Sequence, residues 1–314
     1  MFEPIIQAIE KHDSIVIFGH LNPDGDCYGS QVALKAIIQN NFPKKEVYIV
    51  GKGIPRLYEV LGKMDDISDE IVAKSLAVIL DSNDLSRVED KRVSSACHFV
   101  KVDHHVNTFT FHEGEEVIDD KATSTCELIF RLANEAKWVI NELAANGLFL
   151  GLMTDTARFQ FTFDYVNMFD IAKRLCELGA NPQQLAMKLN VVYPYQLKIK
   201  SFIYRNYRKD DGVIYVLARL KDRKALNATS QQIVSQTSLI GHVKSYPVWL
   251  IISETDTGGM QVEMRSEGVN VQTIAAYFGG GGHIYAAGFT IDKFSIEKVN
   301  ELLTMCKKAI KEGI

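Results

Sequence analysis

Hydrophobic residues in the first half of the chain fall into short unbroken runs separated by amphipathic stretches. Residues 14–19 are rich in Ile and Val. Such a run predicts a strand covered on both faces, because a half-exposed strand alternates apolar and polar side chains instead. Residues 46–50, 76–80 and 99–102 repeat the pattern. Helical spacing fills the intervals, over residues 1–10 and about 29–39. This βαβ rhythm predicts a doubly wound parallel sheet. Residues 123–206 read as mostly helical and end in a helix over 194–207 that leads out of the first domain.

A polar break at Lys209-Asp210-Asp211-Gly212 marks a boundary. Beyond it, residues 213–220, 248–252 and 260–264 read as strands, and 270–278 and 296–311 as helices. The expected organisation is a first α/β domain over 1–190, a helical linker over 191–211 and a smaller α/β domain over 212–314. A chain of 314 residues is long for one core and suits two.

Composition narrows the partners. Hydrophobic residues at 46% and charged residues at 24% give a globular balance. The net charge of -4 lacks the basic excess that holds long nucleic acid through its phosphates. A groove for long duplex is therefore not expected, while small nucleotides stay open. Five cysteines, Cys27, Cys97, Cys126, Cys176 and Cys306, form no C-x-x-C pair and read as buried free thiols of a reducing compartment. No apolar stretch is long enough to span a bilayer, and residues 1–10 lack the pattern of a leader. The expectation is a cytoplasmic protein without a membrane partner. The sequence permits a homodimer and does not require one.

The Asp and His residues fall where the predicted strands end. His20, Asp24 and Asp26 follow the first run. Asp81 follows residues 76–80, and Asp103, His104 and His105 follow residues 99–102. Asp155 ends the apolar segment 148–154, counted here as a fourth strand end. Strand C-termini of an open parallel sheet line one crevice, where ligands bind. Carboxylates converging there repel one another unless a cation neutralises them. Oxygen ligands with a few imidazoles and no thiolate suit manganese, magnesium or iron better than structural zinc. More than four candidate ligands suggest two ions, a device for phosphate-ester hydrolysis. Singly, each Asp reads as well as a helix cap or turn residue. His12, His98 and His112 read as ordinary histidines.

The series His20-x-x-x-Asp24-x-Asp26, Asp81, Asp103-His104-His105 and Asp155 resembles the four motifs of the DHH phosphoesterase family. The run Gly279 to Gly282 with His283 resembles the glycine-rich motif of its companion DHHA1 domain. The resemblance spans nearly the whole chain. It implies that His20, Asp24 and Asp81 hold one metal ion and that Asp26, Asp81, His104 and Asp155 hold a second, with Mn2+ expected and Mg2+ an alternative. Asp103 would orient an imidazole, and His105 would face the scissile phosphate. Stand-alone members of the family imply a metal-dependent hydrolase of very short oligoribonucleotides, dinucleotides such as pApA, and 3′-phosphoadenosine 5′-phosphate (pAp). Thr156-Ala157 stands where the family has Thr-Gly, which matters if that backbone needs a positive φ.

The second domain is expected to select the substrate. Gly280, Gly281 and Gly282 would let backbone approach a phosphate, and Arg265, Ser266 and His283 would grip it. Arg158 is a weaker candidate, and Ser124 or Thr125 would cap a helix beside the metals. The glycine run lacks the Gly-Lys-Ser/Thr ending of a P-loop, so ATP is not implied. A manganese pyrophosphatase shares the N-terminal motifs, but its Ser-Arg-Lys-Lys cluster is missing from this sequence. A non-catalytic nucleotide sensor is disfavoured because every expected ligand is present.

Overall fold

The computed structural model describes residues 1–82, 84–105, 114–162 and 164–313. His112 lies outside them. They divide into two compact units, Met1–Val191 and Val192–Ile314.

The first unit runs α1 (Glu3–Lys11), β1 (Ser14–Phe18), α2 (Gly25–Asn41), β2 (Glu46–Ile49), α3 (Tyr58–Leu61), α4 (Asp69–Lys74), β3 (Leu76–Leu80), β4 (His98–Asp103) and β5 (Gly114–Ile118). Helices α5 (Thr125–Glu135), α6 (Glu142–Asp155), α7 (Tyr165–Glu177) and α8 (Pro182–Leu189) follow. The sheet order is β2-β1-β3-β4-β5, parallel throughout. β1 is buried along its whole length. Its Ile15 and Ile17 join the core with α1, α2, α5 and α6, whereas Val16 and Phe18 join Ile79, Val88 and Val93 on the other face. Two covered faces explain the unbroken apolar runs.

Glycines set how closely α2 and α6 approach. A Cβ on Gly29 would stand 2.3 Å from the carbonyl oxygen of Gly147, so backbone meets backbone at that crossing. A Cβ on Gly151 would stand 2.4 Å from the Asp26 carboxylate. The same contact brings Asp26, at the start of α2, toward Asp155, at the end of α6. Helix α2 starts at Gly25 and not near Gly29, because the Asp24 side chain accepts the N–H groups of Asp26 and Cys27, both at 3.0 Å. The turn-like Pro-Asp-Gly is thus an N-cap and first turn. Asp155 is the last residue of helix α6, which corrects the strand end expected there.

The second unit holds α9 (Pro194–Asn206), β6 (Arg208–Asp210), β7 (Val213–Ala218), α10 (Leu220–Leu226), α11 (Ser230–Val234), β8 (Val248–Glu254), β9 (Met260–Ser266), α12 (Gln272–Tyr277), β10 (Gly281–His283), β11 (Ala286–Ile291) and α13 (Ile296–Glu312). Its sheet order is β10-β11-β9-β8-β7-β6, with β7 and β8 parallel and the other pairs antiparallel. Val299, Leu302 and Cys306 of α13 cover one face with Ile274 of α12. On the other, Ile199 and Ile203 of α9 pack with Ile214, Val216, Ile233 and Ile251. The sequence assigns 191–211 to a linker; in the structure the helix of that segment lends these two isoleucines to the second unit's core. Among the described residues no helix is long and apolar enough to cross a membrane. Cys27, Cys126 and Cys306 are buried, but Cys97 and Cys176 are exposed, so burial holds for three of the five thiols.

Candidate metal centre

Three parallel strands deliver the first ligands. His20 follows β1, Asp81 follows β3, and Asp103 closes β4 with His104 and His105 behind it. The N-terminus of α5 fixes two of the carboxylates. Thr125 N–H donates to Asp26 Oδ2 at 2.7 Å and Cys126 N–H to Oδ1 at 2.9 Å. Unpaired N–H groups at a helix start favour a carboxylate there. The Thr125 hydroxyl donates to Asp81 Oδ1 at 3.1 Å. Ser124 is the N-cap and accepts from Glu127 N–H at 3.1 Å.

Asp81 stands between two imidazoles. Its Oδ2 lies 3.4 Å from His20 Nε2, and its Oδ1 lies 3.5 Å from His104 Nε2. His20 Nε2 also faces Asp24 Oδ1 at 3.8 Å. His104 Nε2 faces Asp155 Oδ2 at 3.2 Å and Asp26 Oδ2 at 3.9 Å. Among the described residues three donor groups emerge, each within 4.8 Å: His20 with Cys27 and Asp81, Asp81 with His104 and His105, and Asp26 with His104 and Asp155. His104 Nε2 is buried and has no hydrogen-bond partner among the described residues. A buried imidazole nitrogen aimed at three carboxylates is the arrangement a cation completes.

Electrostatics points the same way. Burial pushes the Asp26 carboxyl up to about 7, with the Asp81 charge adding to it. Burial also pushes Asp155 well above the carboxylate range, and Asp26 adds to that. His104 is held at about 10, since Asp155, Asp26 and Asp81 outweigh its desolvation. His20 is likewise raised, Asp24 and Asp81 overcoming burial. Without a cation the cluster gathers protons; divalent ions relieve the same repulsion. Cys27, grouped with His20 and Asp81, has its thiol pushed up to about 12, chiefly by burial.

Asp103 is engaged by His105 and Lys101. Its Oδ1 accepts from the His105 backbone N–H at 3.1 Å and from His105 Nδ1 at 2.8 Å, while Lys101 Nζ lies 3.5 Å from Oδ2. Despite its burial Asp103 is kept below the usual carboxylate range, mainly by the His105 bond. Lys101, 1% exposed, escaped the sequence reading. Its signal was a lone cation inside Phe-Val-Lys-Val.

Other polar residues have partners of their own. Arg158 donates to Asn190. His98 begins β4, at the strand end opposite the cluster; it stacks on His12 and pairs with Glu115 at 2.8 Å. Asp84 caps a short turn through Ser86 N–H at 2.7 Å. Ala157 has φ 47°, a left-handed conformation in which glycine would be unstrained.

In the second unit, Arg265 on β9 and His283 on β10 both stand in register with Ala286 of the strand between them. They therefore share one face of the sheet edge. Arg265 Nη1 donates to Glu263 Oε1 at 2.6 Å and to the Met264 carbonyl at 2.8 Å. Ser266 is buried and its hydroxyl donates to the Val269 carbonyl, so it builds the turn. A Cβ on Gly280 would stand 2.2 Å from the Gly288 carbonyl oxygen, and Gly282 has φ 137°. Gly281 alone of these three faces open space.

This α/β architecture, with an acidic–imidazole cluster at its parallel strand ends, defines a metal-binding phosphoesterase fold. Residues 14–152 match the DHH family N-terminal domain and residues 210–312 the DHHA1 domain. A protein of Mycoplasma pneumoniae named bifunctional oligoribonuclease and PAP phosphatase NrnA is 32% identical, over 97% of this chain and 95% of its own. The Bacillus subtilis protein of the same name is 28% identical over 97% and 98%. An exopolyphosphatase-related protein from Bacteroides fragilis, 21% identical, shares the fold with a TM-score of 0.86 over 99% of this chain and 97% of its own. The chain belongs to the DHH phosphoesterase family. Members of that family are metal-dependent, and His20, Asp24, Asp26, Asp81, His104 and Asp155 are this chain's candidates to hold the metal.

Proposed function

We propose that the chain is a two-metal hydrolase of short oligoribonucleotides, including dinucleotides such as pApA, and of pAp, yielding mononucleotides. The observation that carries this is the position of Asp81, one oxygen toward His20 and the other toward His104. A carboxylate so placed is suited to bridge two cations. His20, Asp24 and Asp81 would hold one ion, and Asp26, Asp81, His104 and Asp155 the other. Oxygen donors dominate both sets, which favours Mn2+, with Mg2+ next. When bound, the ions acidify water and offset charge developing on the phosphoryl oxygens.

The remaining residues orient and move protons. Asp103 fixes the His105 ring through Nδ1. His105 Nε2 would then face the scissile phosphate and, from the imidazolium form, give its proton to the leaving oxygen and return to the neutral ring. Arg265 and His283 would receive a further phosphate of the substrate, and open space at Gly281 would admit it against backbone. Ser266, Gly280 and Gly282 would build that corner. The names of the relatives and the absence of a basic excess support a short substrate.

The test is hydrolysis of pAp and of a labelled ribodinucleotide by chelator-stripped protein, with Mn2+, with Mg2+ and without metal. Mn2+-dependent cleavage is expected for both. Asp81→Asn should lower it by about a thousandfold, the equivalent of several kcal/mol of lost metal catalysis. Cleavage that persists in chelator would refute the mechanism, and a long RNA cleaved as efficiently as the dinucleotide would refute the substrate class.

A further inference from the structure

Cys27 is a buried sulfur inside the centre for which the mechanism has no use. It sits in the first turn of α2, directly after Asp26, and is 0% exposed. Its Sγ accepts the backbone N–H of His20 at 3.2 Å. A Cβ on Gly19 would stand 2.4 Å from that sulfur, so a glycine leaves the slot it occupies. Donor atoms of His20, Cys27 and Asp81 all lie within 4.8 Å of one another. Cys126, the other buried thiol nearby, points at the Asp26 and Gly147 carbonyls at 3.6 Å and joins none of the donor groups found among the described residues.

We propose that Cys27 is a latent ligand of the ion position formed by His20, Asp24 and Asp81, recruited by thiophilic divalent ions such as Zn2+, Cd2+ or Co2+ and left out by Mn2+. The inference rests on that assignment of the ion position. Nitrogen and sulfur ligands of one tetrahedral ion lie about 3.5 Å apart, given Zn–N near 2.0–2.1 Å and Zn–S near 2.3 Å. Donors already within 4.8 Å need only a small side-chain shift to share an ion. Thiolate is the soft donor that manganese ignores and the softer ions prefer. The His20 N–H already points at the sulfur, and such a donor bonds more strongly to an anionic acceptor. On recruitment the S–H bond breaks, the metal–sulfur bond forms and the proton passes to solvent. The first ion position would then discriminate metals by chemistry: an oxygen-and-imidazole site for manganese becomes a sulfur-containing site for zinc.

The test is the absorption spectrum of full-length, chelator-stripped protein titrated with Co2+. Visible d–d bands report occupancy, and a near-ultraviolet sulfur-to-cobalt charge-transfer band reports thiolate ligation. Wild-type protein should show both. Cys27→Ser should keep the visible bands and lose the charge-transfer band, while exposed Cys97→Ser keeps both. The same Cys27→Ser change should weaken Zn2+ binding by about tenfold or more, a loss of the size typical for metal-site residues, and leave Mn2+ binding close to wild type. Bound cobalt without a charge-transfer band in the wild type would overturn the proposal and spare the two-ion reading, independently of how any variant folds. A band that survives Cys27→Ser would also overturn it. Failure to bind cobalt at all would overturn both.

Discussion

In the first unit the candidate ligands come from the ends of β1, β3 and β4 and from α2 and α6, and they meet as side chains, Asp26 and Asp81 both buried. In the second unit Arg265, Gly281 and His283 lie along one edge of one sheet, and both Gly281 and His283 are exposed. The first arrangement stores repulsion. Its carboxylates are desolvated and close together, so they hold protons until a cation replaces them. The second stores none: Arg265 already has a carboxylate partner in Glu263 and needs no ion. Burial therefore separates the cluster proposed to drive chemistry from the edge proposed to hold a ligand.

The largest effect that would sharpen this contrast is in the first unit. His105→Ala should lower kcat by about 10²–10⁴-fold, the usual worth of a positioned general acid, with metal content unchanged. An unchanged kcat would remove His105 from the reaction. Arg265→Ala should act on the other side, raising KM by about tenfold through loss of a charge-assisted contact worth roughly 1.5 kcal/mol, with kcat nearly preserved. A fall in kcat of the same size as the rise in KM would break the contrast between driving and holding.

Two smaller effects follow. Gly280→Ala should destabilise the second unit by about 1–3 kcal/mol, because its methyl meets backbone. Gly281→Ala should leave thermal stability close to wild type and weaken substrate binding. Equal stability losses in urea denaturation would show that the corner is only a packed turn. The other effect concerns pH in chelator. Folding raises the Asp26 pKa from 3.8 to about 7 and that of His104 from 6.5 to about 10. The native state thus binds more protons than the unfolded chain in both windows, so stability falls as pH rises. The Asp26 part is lost between about pH 4 and 7 and the His104 part between about pH 6.5 and 10. The thermal midpoint of metal-free protein should decline across that range. Saturating Mn2+ should flatten the slope. A midpoint that climbs with pH in chelator would contradict the clustered-carboxylate picture.

How much of this was legible depends on where the determining contacts lie. The strands β1 to β4 were readable because a parallel strand covered on both faces must be apolar throughout. Their ends announce the cluster, so His20, Asp81 and Asp103 to His105 could be placed without a structure. β5 and β10 were not readable. Gly114-Glu115-Glu116 and Gly281-Gly282-His283 have little strand preference, and pairing with neighbours alone makes them strands. Asp155 was found as a ligand candidate but on the wrong kind of element, since a buried helix such as α6 is as apolar as a strand. The start of α2 was missed because Asp24 both caps the helix and faces His20. Lys101 and Thr125 support the site from distant parts of the sequence, and Cys27 carries no local sign that its sulfur faces His20.

The central claim is that Asp81 joins two ion positions in one centre. Equilibrium dialysis against Mn2+, with metal counted by atomic emission, tests it most directly. Wild-type protein should bind two ions per chain, and Asp81→Asn should weaken both while its fold stays intact by circular dichroism. One ion per chain in the wild type, or an Asp81→Asn variant that still binds two with unchanged affinity, would contradict it.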